Sequence, residues 1–245
     1  MCHIIRLIGI VFLIGFGLSA AVPGAEPEKP DAGKNNGDTK QFEGLGFSVA
    51  PKGGGKAQTS MFGLPGEGYK FVYVFDRSGS MGGDGNASLK AVKAELLASL
   101  KNLDTVHQFQ IIFYNQRPVL FNPSGTPGKL AFANERNKQA AVRFLDSIEA
   151  LGGTDHEAAL RMAAAMKPDV IFLLTDGDDP KLSPREMEKI RQWLEGIRLN
   201  IIEFGPGQAP EQESFLKELA RRIGGGYIYV DTTEFTKAKE KTPNP

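Results

Sequence analysis

Between Tyr69 and Asp231 the apolar residues of this 245-residue chain keep changing their spacing, and that alternation is the strongest constraint on its fold. Short solid runs of β-branched and aromatic residues suit strands buried on both faces, while stripes at a helical period suit amphipathic helices. Phe71 to Phe75 is the first solid run. Leu89, Val92, Leu96, Leu100 and Leu103 then fall on one side of a predicted helix over 86–103. Phe109 to Tyr114 reads as a second strand, and Pro118 to Phe121 as a short edge strand, where proline's missing N–H is tolerated. Ala141, Phe144, Leu145 and Ile148 mark a helix over 134–151, stopped by Gly152 and Gly153.

The second half repeats the scheme. Residues 155–166 form an Ala-rich helical segment, followed by the strongly apolar strand Val170 to Leu174. Ser183, Pro184 and Glu186 make a capping box with proline at the first helical position. The helix they open carries Met187, Ile190, Leu194 and Ile197 to one side. Leu199 to Phe204 reads as a strand, 211–223 as a helix and Tyr227 to Val230 as a last strand. Strands alternating with helices predict an α/β domain: a Rossmann-like, doubly wound, mostly parallel central sheet with helices on both faces. Ligands of such a sheet sit beyond the carboxyl ends of the strands, where the strand order reverses.

The ends of the chain read differently. Arg6, the apolar run Leu7 to Phe16 and the small residues Ser19, Ala20 and Ala21 follow the three-part plan of a secretory signal over 1–21, cut after Ala21 or Ala20. The alternative is an uncleaved anchor, although a span needs about 20 apolar residues and this run is shorter and broken by glycine. Cys2, the only cysteine, lies inside this segment, so the remainder offers neither a disulfide nor a thiolate metal ligand. Fifteen of the 29 glycines lie between residues 22 and 85, and 22–58 reads as a flexible Gly/Pro/Lys-rich spacer before a domain over 59–235. Residues 236–245 read as a disordered tail. Lys plus Arg equal Asp plus Glu at 29 each, so the basic excess that nucleic acid demands is missing.

Polar groups gather at the strand ends that the fold singles out. The first solid run leads straight into Asp76-Arg77-Ser78-Gly79-Ser80, the Ala-rich helix is preceded by Gly152-Gly153-Thr154-Asp155, and Val170 to Leu174 leads into Thr175-Asp176-Gly177. Carboxylates and hydroxyls without thiol or imidazole suit a hard divalent cation, Mg²⁺ first, with Mn²⁺ and Ca²⁺ as alternatives. Each acid also has a plain reading as a strand-end helix cap, and Thr154 with Glu157 reads as a capping box. Asp155, Asp178 and Asp179 read as solvated rim acids. Arg77 has two readings, a salt bridge to those acids or a contact with a partner.

Asp76, Ser78, Ser80, Thr154 and Asp176 resemble, in order and placement, the metal-ion-dependent adhesion site of von Willebrand factor A domains, and the resemblance covers roughly Tyr69 to Asp231. The lead-in through Phe62, Gly63 and Gly68 is similar to that of exported bacterial members. The resemblance implies that Ser78 and Ser80 bind the metal directly, that Thr154 does so directly or through water, and that Asp76 and Asp176 act mainly through bound water. Carboxylates held back in this way leave the ion electrophilic, ready for an acidic group of a protein partner. The expected function is therefore an exported, cation-dependent adhesion or interaction module, not an enzyme, residing in the periplasm, at the cell surface or outside the cell. It would meet a membrane only through an uncleaved signal segment.

Two alternatives stand beside it. A phosphotransferase of the haloacid dehalogenase type also ends a buried strand in an Asp, but its proton shuttle needs an acid two residues on, where this chain has Ser78. A structural domain with no ligand is the second. Serine hydrolysis lacks the G-x-S-x-G elbow around Ser80, no phosphate-binding G-x-x-x-x-G-K-[ST] occurs, and His107 and His156 read as surface or core-edge residues.

Overall fold

The computed structural model describes residues 54–177 and 180–235. A hairpin of β1 (Ala57–Met61) and β2 (Leu64–Gly68) precedes β3 (Lys70–Asp76), a 3₁₀ turn (Gly79–Gly82) and α1 (Gly83–Lys101). Then come β4 (Gln108–Tyr114), β5 (Val119–Leu120), β6 (Ala131–Phe132), α2 (Glu135–Asp146) and α3 (His156–Ala165). The chain continues through β7 (Val170–Thr175), α4 (Pro184–Trp193), β8 (Arg198–Gly205), α5 (Phe215–Ile223) and β9 (Gly226–Asp231).

The central sheet runs β5-β4-β3-β7-β8-β9, with β6 also on β4. The β3, β4, β7, β8 and β9 pairings are parallel, while β5 and β6 join β4 antiparallel. Side chains of β3 alternate between the two faces, as strand geometry requires. Phe71, Tyr73 and Phe75 pack with Leu89, Val92 and Leu96 of α1, Leu145 of α2 and Met61 of the hairpin. Val72 and Val74 pack with Leu160 of α3, Ile190 of α4 and Leu219 of α5. The order reverses at β3, from which the chain first winds outward to β4 and later returns to β7 on the other side. That puts the switch-point crevice between the carboxyl ends of β3 and β7.

Three local expectations are corrected. The helix expected over 134–151 stops at Asp146, because Ser147 and Ile148 bond back three residues and the Leu151 N–H is taken by the Arg77 carbonyl at 2.8 Å. The helix expected from residue 211 begins at Phe215, where the Ser214 hydroxyl caps it by accepting the Lys217 N–H at 3.2 Å. The first strand takes in Ala57 and Gln58, the last residues of the segment read as spacer. The signal segment, residues 22–53 of the expected spacer and the tail lie outside the described residues.

Candidate metal centre

Asp76 closes β3 with a fully buried carboxylate, and both of its oxygens are engaged. Oδ1 accepts the Ser78 N–H at 2.8 Å, which curls the loop back onto its own first residue. Oδ2 accepts the Thr175 hydroxyl at 2.6 Å, tying β3 to the end of β7. Thr175 Oγ1 in turn accepts the Gly177 N–H at 3.1 Å, so the loop carrying the half-buried Asp176 is held by the same relay. Ser78 is buried and Ser80 exposed, with their hydroxyl oxygens 3.0 Å apart. The turn between them is anchored by the buried side chain of Met81.

The third loop is sewn to the first. The Gly79 N–H donates to the Gly152 carbonyl at 2.9 Å, alongside the bond from Leu151 to Arg77. Asn115 Nδ2 donates to the Leu151 carbonyl at 2.7 Å, and Gln116 Oε1 accepts the Gly153 N–H at 2.9 Å. Gly152 has a φ of +80°, a conformation that favours glycine. Beyond this clamp Thr154 is buried. Asp155, not Thr154, caps α3 by accepting the Ala158 N–H at 2.9 Å, which corrects the capping-box reading and gives Asp155 a role beyond that of a solvated acid. Asp178 and Asp179 lie outside the described residues.

Arg77 is held by the loops beside it. Its buried guanidinium donates to the Glu149 and Arg117 carbonyls at 3.4 and 3.0 Å and to Asn115 Oδ1 at 3.3 Å, bracing the two neighbouring loops from beneath.

Behind the Asp76 loop lie two residues to which the sequence assigns no role at the site. Tyr114 stands opposite Asp76 in the register of β3 and β4, and its hydroxyl is 2.8 Å from His156 Nδ1. Both side chains are buried. The Tyr114 phenol is pushed well above its ordinary value, chiefly by burial and next by the negative charge of Asp76. His107, by contrast, lies at the opposite end of the sheet, just before β4, paired with Asp104 at 2.6 Å. Thr175 is the third contributor whose role is not readable from sequence. Its position as the last residue of a buried strand is the only hint.

Among the described residues no group of three or more His, Cys, Asp or Glu is placed to hold an ion. Ser78, Ser80 and Thr154 add hydroxyls to the carboxylates of Asp76 and Asp176. Bonds of 2.0–2.1 Å at right angles put neighbouring oxygens of a Mg²⁺ octahedron about 2.9 Å apart, close to the Ser78–Ser80 separation. Asp76, whose oxygens are already committed, suits an indirect role. The residues therefore fit a hard divalent cation. A cleft of about 230 Å³ opens beside them, lined by Ser80, Asp176, Met81, Phe204 and Pro206 among others.

Comparisons with known proteins agree on the fold. The family model of the von Willebrand factor type A domain matches residues 70–229, well over half of the chain. Human inter-alpha-trypsin inhibitor heavy chain H4 is 29% identical over 170 residues, which is 63% of this chain but 17% of that protein. This chain therefore spans under a fifth of that relative's length. The von Willebrand factor type A structure from Catenulispora acidiphila superposes with a TM-score of 0.57 at 18% identity, covering 76% of this chain and 49% of its own. Proximal thread matrix protein 1 from the mussel byssus, solved with a zinc-occupied adhesion-site motif, gives 0.50 at 15% identity, covering 76% and 48%. The haloacid dehalogenase alternative finds no support in these matches.

Proposed function

The chain belongs to the von Willebrand factor type A domain family, and from that premise we propose that it is an exported protein-binding module whose bound Mg²⁺ captures an acidic side chain of a partner. Domains of this family generally serve as interaction modules, and the proposal assigns this one no reaction of its own. In it, Ser78 and Ser80 hold the ion, Thr154 completes their hydroxyl set, and Asp76 and Asp176 fix the geometry mainly through water. The ion supplies an electrophilic coordination position. The protein's part is to keep both carboxylates from quenching it, and the observation that carries the reading is that both oxygens of Asp76 are already hydrogen-bonded. Zinc in the mussel protein's motif supports a divalent cation here without choosing among Mg²⁺, Mn²⁺ and Ca²⁺.

The test is capture from the native exported fraction on the immobilised chain, with Mg²⁺ or with chelator, repeated with Asp76→Asn and Thr154→Ala. Capture that needs Mg²⁺ and fails in both variants supports the proposal. Thr154→Ala should weaken partner capture more than Mg²⁺ binding, because the two serines still hold the ion. Capture that persists in chelator and in both variants places the interaction on another surface.

A further inference from the structure

We propose that Tyr114 and His156 are positioning residues of the metal centre, their buried hydrogen bond fixing the start of α3, and with it Thr154, against the Asp76 loop. The proposal rests on the reading of Asp76, Ser78, Ser80, Thr154 and Asp176 as that centre.

Tyr114 is locked to the Asp76 loop at its backbone, because its carbonyl accepts the Arg77 N–H at 2.8 Å. Its side chain turns to the opposite task, reaching the helical face of the sheet that α3 covers. There its hydroxyl meets Nδ1 of His156, the first residue of α3, at 2.8 Å, and the two rings meet edge-on with centroids 5.8 Å apart. The Phe215 ring also packs against the imidazole, with centroids 5.6 Å apart. Thr154 therefore lies between two anchors. Gly153 is held by Gln116 on one side, and His156 is held by Tyr114 on the other. Both anchors come from the end of β4 and the loop after it, so the position of Thr154 relative to Ser78 is set by β4 lying beside β3.

Stability alone does not call for this pair. Apolar side chains, Ile112, Ala159, Leu160 and Leu173 among them, pack in the same cluster as Tyr114. Replacing both partners of a buried hydrogen bond by apolar groups of similar shape can be nearly neutral. What the polar pair adds is a directional contact of fixed length at the point where the third loop turns into its helix. Partners that orient metal ligands in this way typically carry 10–100-fold in metal affinity.

The experiment uses the full chain and Mn²⁺ alone, with binding read from the loss of the free-ion electron paramagnetic resonance signal and melting measured separately in chelator. Tyr114→Phe keeps the ring and deletes the hydroxyl, and the paired change Tyr114→Phe with His156→Leu removes both partners of their hydrogen bond. Both should bind Mn²⁺ about 10-fold more weakly, a loss no larger than that of Thr154→Ala, while the paired variant melts in chelator close to the unaltered chain. His156→Asn, whose amide can stand where Nδ1 does, should recover most of the affinity. Because the pair acts through Thr154, Tyr114→Phe should add little to the loss caused by Thr154→Ala, a non-additivity that a general loosening of the fold would not produce. Unchanged Mn²⁺ affinity in Tyr114→Phe, or losses that simply add to Thr154→Ala, overturns the positioning role and leaves the metal centre standing. An unaltered chain that binds no Mn²⁺ overturns the metal centre, and this proposal with it.

Discussion

Thr175 shows how much a single hydroxyl is asked to do: it donates to Asp76 Oδ2 at 2.6 Å and accepts the Gly177 N–H at 3.1 Å, with no exposed surface. Thr175→Val keeps the shape and strands both partners, and a buried group left unsatisfied costs about 1–3 kcal/mol. Denaturant unfolding in chelator should show a loss of that size, and Thr175→Ser should recover most of it. The D-x-S-x-S spacing was readable because its residues are sequence neighbours. Thr175 was not, because its role exists only where Phe75 pairs with Leu174 across two strands 99 residues apart in sequence. Tyr227 makes a second residue-scale case. Burial first, and then its hydrogen bond to Glu203 at 2.9 Å, push its phenol up to about 12 from 10.0. Between those values the unfolded chain gives up a proton that the folded chain keeps, so the stability this group contributes is complete below pH 10 and falls as pH rises. Tyr227→Phe should flatten part of the alkaline fall in urea midpoint. Tyr73, Tyr114 and Tyr229, also raised, act in the same direction.

Helix starts separate what neighbouring residues decide from what distant ones decide. The Ser183 box was legible because its signal lies within four residues: the Ser183 hydroxyl accepts the Glu186 N–H and the Glu186 carboxylate accepts the Ser183 N–H. At α3 the box rule points to Thr154, with Glu157 three residues on, yet the cap is Asp155, followed by Ala158 at that position, just beyond a loop clamped by Gln116 and Asn115. Ser183→Ala and Asp155→Ala should each cost about 0.5–2 kcal/mol through loss of an N-cap. Calorimetry with Mg²⁺ should then tell them apart, weakened binding being expected only for Asp155→Ala, whose cap sits next to Thr154. The β1–β2 hairpin was less legible still. Its second strand, Leu-Pro-Gly-Glu-Gly, carries little strand propensity and is held by docking. A Cβ on Gly66 would lie 2.8 Å from Phe172 and 3.0 Å from Val170, so the absent side chain is what lets the hairpin close over β7.

At the scale of the whole molecule, the alternation of strand and helix runs was enough to indicate a doubly wound sheet, and the switch point between β3 and β7 then follows from the strand order. That crevice concentrates negative charge, with the fully buried Asp76 beside Asp176 at the end of the neighbouring strand. Without a cation the mutual repulsion of these neighbouring carboxylates works against folding. With one, the same charges become an affinity, and mass action adds about 2.7 kcal/mol of stability at a hundredfold excess over the dissociation constant. Asp76→Asn should therefore reverse sign with conditions. The amide keeps the volume of the carboxylate and can still bond to Ser78 or Thr175, so in chelator the variant should melt at or above the temperature of the unaltered chain. In saturating Mg²⁺ the unaltered chain should gain and the variant should not, so that the two melting curves exchange order. Paired thermal melts in Mg²⁺ and chelator check this directly. A variant less stable in both conditions by the same margin would make Asp76 a structural strand-end acid, whereas the exchange of order is what a carboxylate kept for a cation must produce.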